Sequence, residues 1–247
     1  MSLHKSEEER EVVEGPSPLR QIALAELEEM LNLHLRWLQS SGEEGKRADF
    51  SESSLREAYF QGANLRGAIF CKANLQLAEF QSADLFRADF SEAELIKASF
   101  QKSKMRQANL QKASLIEARL QEADLGEANL EQADLRGADL REARLAKANL
   151  KSVYARKANF FMADLREVVL QRADLRHADL QGVNLQRADL CKARLQDVKL
   201  NAAELLEADL LGTDLLDVLG LTPAQITLAN LDQTTRLPSY LQESVTL

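Results

Sequence analysis

Apolar residues recur at every fifth position from Phe50 to Leu215 without an insertion or deletion, giving thirty-four consecutive units. The centre of each unit is Leu, Phe or Met, with Ala155 the one exception. Each unit reads small residue, polar residue, apolar centre and two variable positions, as in Ala63-Asn64-Leu65-Arg66-Gly67 and Ala133-Asp134-Leu135-Arg136-Gly137. On an α-helix, five steps of about 100° would wind the centres around every face, so no side could be buried. A continuous strand fails too, because an odd period sends successive centres to opposite faces. The pattern demands a chain that turns after every unit in the same sense. Small residue and centre then both point at a common axis, and the chain forms a narrow coil stacked on itself.

The repeated A-(D/N)-L-x-x unit resembles the pentapeptide-repeat family, and the resemblance covers all thirty-four units. It implies an all-β solenoid, a right-handed quadrilateral β-helix with four units per coil, the centre and the small residue before it inside and three positions outside. For this chain that means about 8.5 coils and a rod about 40 Å long at inter-strand spacing. Sorting centres by twenty then predicts two aromatic columns on opposite sides: Phe50, Phe70 and Phe90 on one, and Phe60, Phe80, Phe100 and Phe160 on the other. At Val153-Tyr154-Ala155 the larger residue moves from the centre to the position before it, read as volume compensation with a bulge or kink as the rival.

The flanks lack the period. Residues 1–16 are polar and acidic and read as a disordered tail. Ser17 and Pro18 resemble a helix start, and apolar residues at steps of three and four predict a capping helix over 17–42, ending at Gly42. Its acidic polar face argues against a membrane-surface anchor and favours a lid over the open solenoid end, with Leu35, Trp37 and Leu38 as cover. The repeat body spans 48–217, and 218–247 is a C-terminal cap segment. There Thr222 and Pro223 start a short helix reaching about Asn230, followed by irregular cover.

Lys and Arg number 31 against 39 Asp and Glu, a net charge of −8. Residues 48–217 hold 27 acidic and 24 basic groups, so the rod itself carries only −3. That balance excludes a basic groove for direct nucleic-acid binding. No apolar run reaches the length of about 20 residues that spans a bilayer. The acidic N-terminus is unlike a signal peptide, so the expectation is a cytoplasmic protein with no membrane partner. Cys71 and Cys191 lie too far apart along the rod to bridge, and neither they nor the three histidines show metal-ligand spacing.

A regular rod has a filled axis and convex walls, so no catalytic cleft, cofactor site or metal site is expected. The candidate chemistry is protein binding. Leu77, Ile96 and Ile116 form an outward apolar ladder on one side. Phe161 and Met162 form a smaller patch beside Tyr154, and Phe86 stands alone. Leu206, Leu211 and Leu216 project from the last coil and need cover, either the C-terminal segment or the same end of a second subunit, so the chain is a monomer or a homodimer through that end. A column of Gln61, Gln81, Gln101 and Gln121 suggests an amide ladder. The resemblance also implies an alternative function, DNA mimicry directed at a type II topoisomerase such as gyrase. The near-balanced charge of the rod opposes it.

Overall fold

The computed structural model describes residues 19–242. Elements in chain order are β1 (Arg20–Gln21), α1 (Leu24–Gln39), β2 (Ser53–Ser54), α2 (Pro223–Ile226) and α3 (Ser239–Gln242). From Asp49 up to α2 the chain is a ladder of isolated parallel bridges, each joining a residue to the one twenty positions on, from Asp49↔Ile69 to Lys199↔Leu219. Four units therefore complete each coil. All centres and nearly all small residues are buried, making one continuous core along the axis.

The five-residue code follows from accounting for the backbone donors of one unit. The centre N–H donates one coil on, as Phe60 does to the Glu79 carbonyl at 2.7 Å, and the fifth-position N–H does likewise, as Lys72 to Ser91 at 2.9 Å. The second-position N–H donates one coil back, as Glu79 to Ala58 at 2.9 Å. The first-position N–H closes a turn onto the preceding centre, as Ala63 to Phe60 at 3.0 Å. That leaves the fourth N–H. It is taken by the side chain of the second-position Asp or Asn, as Ser91 N–H to Asp89 at 3.0 Å and Lys151 N–H to Asn149 at 3.1 Å. The preference for Asp or Asn before each centre is thus a side-chain acceptor for the one donor the ladder cannot reach.

Every unit but the last turns on its fifth residue, which adopts left-handed backbone with φ between +53° and +69° from Glu52 to Gly212. Glycine fills that position only at 62, 67, 137, 182 and 212. Each non-glycine there costs about 1–2 kcal/mol, which the ladder overrides.

The aromatic columns stand as expected. Within columns, rings stack at 4.8–5.0 Å, and Phe70, Phe80, Phe90 and Phe100 meet edge-on between columns at 5.6–5.8 Å. At Ala155 the ladder keeps its register, with Ala155 N–H to Asp174 at 2.8 Å and Leu135 N–H to Tyr154 at 2.7 Å. Tyr154, the larger residue before the centre, is exposed and does not fill the axis; Val153 at the small position is fully buried instead, and no bulge forms.

The ends correct several expectations. The N-terminal helix begins at Leu24, not near Ser17, because Arg20 and Gln21 are drawn into parallel pairing with Ser53 and Ser54, extending the ladder over the open edge. Residues 1–16, with the proposed tail, and Ser17 and Pro18 lie outside the described residues. The helix also ends at Gln39, short of Gly42, because Ser41 already turns left-handed (φ +56°); Gly42 (φ +97°) then returns its N–H to the Trp37 carbonyl at 2.8 Å. The lid is made by Ile22, Leu27, Met30, Leu31 and His34; Leu35 faces outward and Trp37 and Leu38 are half-buried. His34 is fully buried and its Nδ1 accepts the Ala48 N–H at 3.1 Å, pinning helix to rod.

At the other end Thr222 caps α2 as expected, in a reciprocal capping box with Gln225. The helix stops at Ile226 because Asn230 joins the ladder against Asp209, and Arg236 against Asp214. The Gln225 amide donates at 2.9 Å to both the Leu200 and Ala203 carbonyls, while Leu221, Ile226, Leu237 and Leu241 close the core. The segment therefore plugs the axis and does not cover the outward leucines: Leu206 and Leu216 remain exposed and Leu211 half-buried.

Candidate docking surface

The outer wall of each side is built from second, fourth and fifth positions, and three of the named residues fall together. Leu77, Ile96 and Ile116 occupy successive coils of one side, with the Leu77 N–H donating to the Ile96 carbonyl at 3.0 Å and the Lys97 N–H to the Ile116 carbonyl at 2.9 Å. Leu77 is 38 % exposed and the isoleucines are half-buried, so the ladder is a low apolar ridge. Phe161 and Met162 are exposed on the adjoining side, and the Met162 side chain lies over Gly182 of the next coil. Phe86 is not an open anchor, because the Arg66 and Arg87 guanidinium groups cover its ring at 4.5 and 5.0 Å. Sequence reasoning overlooked Tyr59, 66 % exposed beside Gln61; its second-position placement, where Asp or Asn is usual, was the available signal.

Charges pair in two ways. Lys97–Glu117 and Lys147–Glu167 reach between coils at 3.3 and 3.7 Å. Where the second position of the same unit is Asp, the fourth-position arginine instead folds back on it: Arg136 on Asp134 at 2.6 Å, Arg141 on Asp139 at 2.7 Å, Arg166 on Asp164 at 2.7 Å and Arg176 on Asp174 at 2.5 Å. Arg136 and Arg176 thus pair within their own units and not across coils. The Asp already held by the fourth N–H is pre-aimed at the fourth side chain. Hydrogen bonds from Arg166 and Arg176 hold the Asp164 and Asp174 carboxyls below their ordinary range.

The glutamine column does not form an amide ladder. Gln121 donates to Asp139 at 2.7 Å, and the Oε1 atoms of Gln81 and Gln121 have no partner among the described residues. The ladder forms on asparagine: Asn109 donates to Asp89 at 2.9 Å, Asn129 to Asn109 at 3.2 Å and Asn149 to Asn129 at 3.1 Å. Asparagine's short side chain, fixed by the local turn, stays in register, whereas the longer glutamine swings to the acid beneath.

The two cysteines are free and half-buried. Asp189, Cys191 and Asp209 bring three donor atoms within 4.8 Å of one another, a grouping the linear spacing had not suggested. Burial, then hydrogen bonding to Asp189, pushes the Cys191 thiol up to about 12.

A parallel coil with a filled axis and four polar walls defines a quadrilateral β-helix. Residues 73–150 match a model described as pentapeptide repeat region, and residues 48–85 and 158–197 match one described as pentapeptide repeats (8 copies). The chain belongs to the pentapeptide-repeat family, whose members form right-handed quadrilateral β-helices. It is similar to HetL, a pentapeptide repeat protein involved in heterocyst differentiation regulation from the cyanobacterium Nostoc sp. strain PCC 7120, with 29 % identity, a TM-score of 0.70, and coverage of 83 % of this chain and 89 % of HetL. It also resembles QnrB1, a plasmid-mediated fluoroquinolone resistance protein, with 16 % identity, a TM-score of 0.58, and coverage of 80 % and 96 %. At that identity the likeness shows the fold alone. No curated protein sequence matches. Among the described residues no helix is long and apolar enough to cross a membrane.

Proposed function

We propose that this chain is a non-enzymatic, rigid, regulatory scaffold that binds a protein partner through the exterior of its repeat body, residues 48–217, with the flanking segments as end covers. The observation that carries it is the break in an otherwise polar wall where Leu77, Ile96 and Ile116 line up on successive coils. Interface centres are depleted in charge and rich in such anchors. Similarity to HetL over most of both chains supports a regulatory setting. The test is affinity capture with the wild type and with a Leu77→Glu/Ile96→Glu variant. The expected result is loss of specific partners, and an unchanged set sinks this face.

The alternative, mimicry of DNA toward gyrase, needs dense unpaired acid. Arginines neutralise Asp134, Asp139, Asp164 and Asp174 within their own units, which weakens it. A gyrase supercoiling assay separates the readings: inhibition at stoichiometric protein favours mimicry. Leu206, Leu211 and Leu216 remain candidates for a homodimer contact, tested by light scattering on Leu206→Glu/Leu216→Glu.

A further inference from the structure

Tyr154 stands where the coils above and below carry Asp134 and Asp174. Its neighbours Arg136 and Arg176 are each locked onto their own Asp, but the unit of Tyr154 offers Arg156 none. Among the described residues neither Arg156 nor Lys157 has a carboxylate within 4.0 Å, and both are exposed. The Arg156 main-chain N–H, which an Asp would have held, also donates to no other residue described. Three outward donors of one unit thus lack a paired carboxylate, although the charge of Arg156 is felt at Asp174 on the next coil, whose carboxyl is already held by Arg176. Tyr154 beside them is 54 % exposed.

A shallow groove of about 400 Å³ opens directly above these groups, lined by Ile116, Glu117, Arg136, Gly137, Arg156 and Lys157. Gly137 makes the opening, since it lacks the side chain that Lys157 and Glu117 carry at the same position on adjacent coils; a Cβ there would lie 3.5 Å from Glu117. The one acid in the groove, Glu117, is paired with Lys97 at 3.3 Å and so does not neutralise Lys157. Ile116 gives the groove an apolar element continuous with the ridge of Ile96 and Leu77.

We propose that this groove and the Tyr154-Arg156-Lys157 corner dock an acidic segment of the protein partner, one that places a carboxylate beside an aliphatic side chain. This rests on the scaffold reading and names the chemistry of the partner. The carboxylate takes the Arg156 fork and Lys157, the form of pairing that a planar guanidinium favours. The aliphatic group covers Ile116 over Gly137, and Tyr154 packs at the edge, since Tyr and Arg dominate binding energy at interface centres. Nucleic acid is the poorer occupant. Asp134, Asp174 and Glu117 border the site, and a phosphate backbone running past it would meet them.

The test is fluorescence anisotropy with the full chain and three labelled probes: a peptide alternating glutamate and leucine, its lysine counterpart, and a short DNA duplex. The acidic peptide is expected to bind, more weakly as salt rises. Arg156→Glu/Lys157→Glu should lower its affinity at least tenfold and Tyr154→Ala several-fold. Lys151→Glu/Arg172→Glu, with the same net-charge change on another side, should change it less than twofold. Equal losses in both double variants reduce the effect to bulk charge and overturn the proposal, as does failure of the acidic peptide to bind. DNA binding abolished by Arg156→Glu/Lys157→Glu overturns it in favour of a nucleic-acid occupant. If the peptide fails while Leu77→Glu/Ile96→Glu still abolishes partner capture, the scaffold reading stands and only the acidic occupant falls.

Discussion

Replacing Phe80 by leucine tests whether the aromatic columns contribute beyond filling space. Phe80 stacks on Phe60 and Phe100, at 4.9 Å each, and meets Phe70 and Phe90 edge-on at 5.7 and 5.6 Å. Four ring pairs at about 0.5–1.5 kcal/mol each set an upper range of about 2–6 kcal/mol beyond area burial. Leucine retains part of the dispersion contact, so the lower end, about 2 kcal/mol, is the expected excess. Phe160 supplies the internal reference. It is equally buried, sits in the same column, and has no ring partner among the described residues. Phe160→Leu removes the same atoms without any ring pair. The assay is guanidinium unfolding followed by far-UV circular dichroism, with the m value checked for each variant because solenoids lose cooperativity readily. Phe80→Leu should exceed Phe160→Leu by about 2 kcal/mol; equal costs, within about 0.5 kcal/mol, refute a specific ring–ring contribution.

Three other outcomes are expected. Burial, then the nearby Arg47 charge, lowers the His34 pKa, so the undocked imidazole takes up a proton first. Docking of α1 should therefore be complete above about pH 6.5 and weaken as pH falls below it, read from Trp37 emission during denaturation, with His34→Gln flattening the response. Gly45→Ala should destabilise the helix–rod junction by more than about 3 kcal/mol, because a Cβ would lie 2.2 Å from the Leu33 carbonyl oxygen. Gly62→Ala, where a Cβ meets nothing within 4 Å, should cost only about 1 kcal/mol, both read as denaturation midpoints. Cys191, its thiol pushed up to about 12, should resist iodoacetamide at pH 8, and Asp189→Asn should speed its alkylation, followed by mass spectrometry.

The core was legible because the inward positions carry one type of residue each. Sorting Phe50 to Phe100 by twenty needed only the period, and the stacked rings agree. The left-handed turn at every fifth position was invisible, since that position holds Glu, Lys, Arg and Ser as readily as Gly, and the ladder imposes what no local preference requests. The ends were misjudged where tertiary pairing overrode local signals: Arg20 and Gln21 follow a good helix-start pair yet join Ser53 and Ser54. Of the candidate surface, the apolar ridge could be read by counting. The groove at Gly137 and an Arg156 without a paired carboxylate could not, because they depend on which way the arginines of adjacent coils turn.

The register of twenty gives the rod a reading frame. Removing one unit of five would leave every local contact type intact, yet shift all later residues by one wall, so Tyr154 and Arg156 would leave the wall of Ile116. Removing twenty would merely shorten the rod by one coil, about 4.8 Å, and keep each wall in phase. In a protein built this way, length can drift by whole coils while surface composition is inherited wall by wall. Where a partner is read across several coils, a lost pentapeptide therefore acts like a frameshift, silent in the core and disruptive outside.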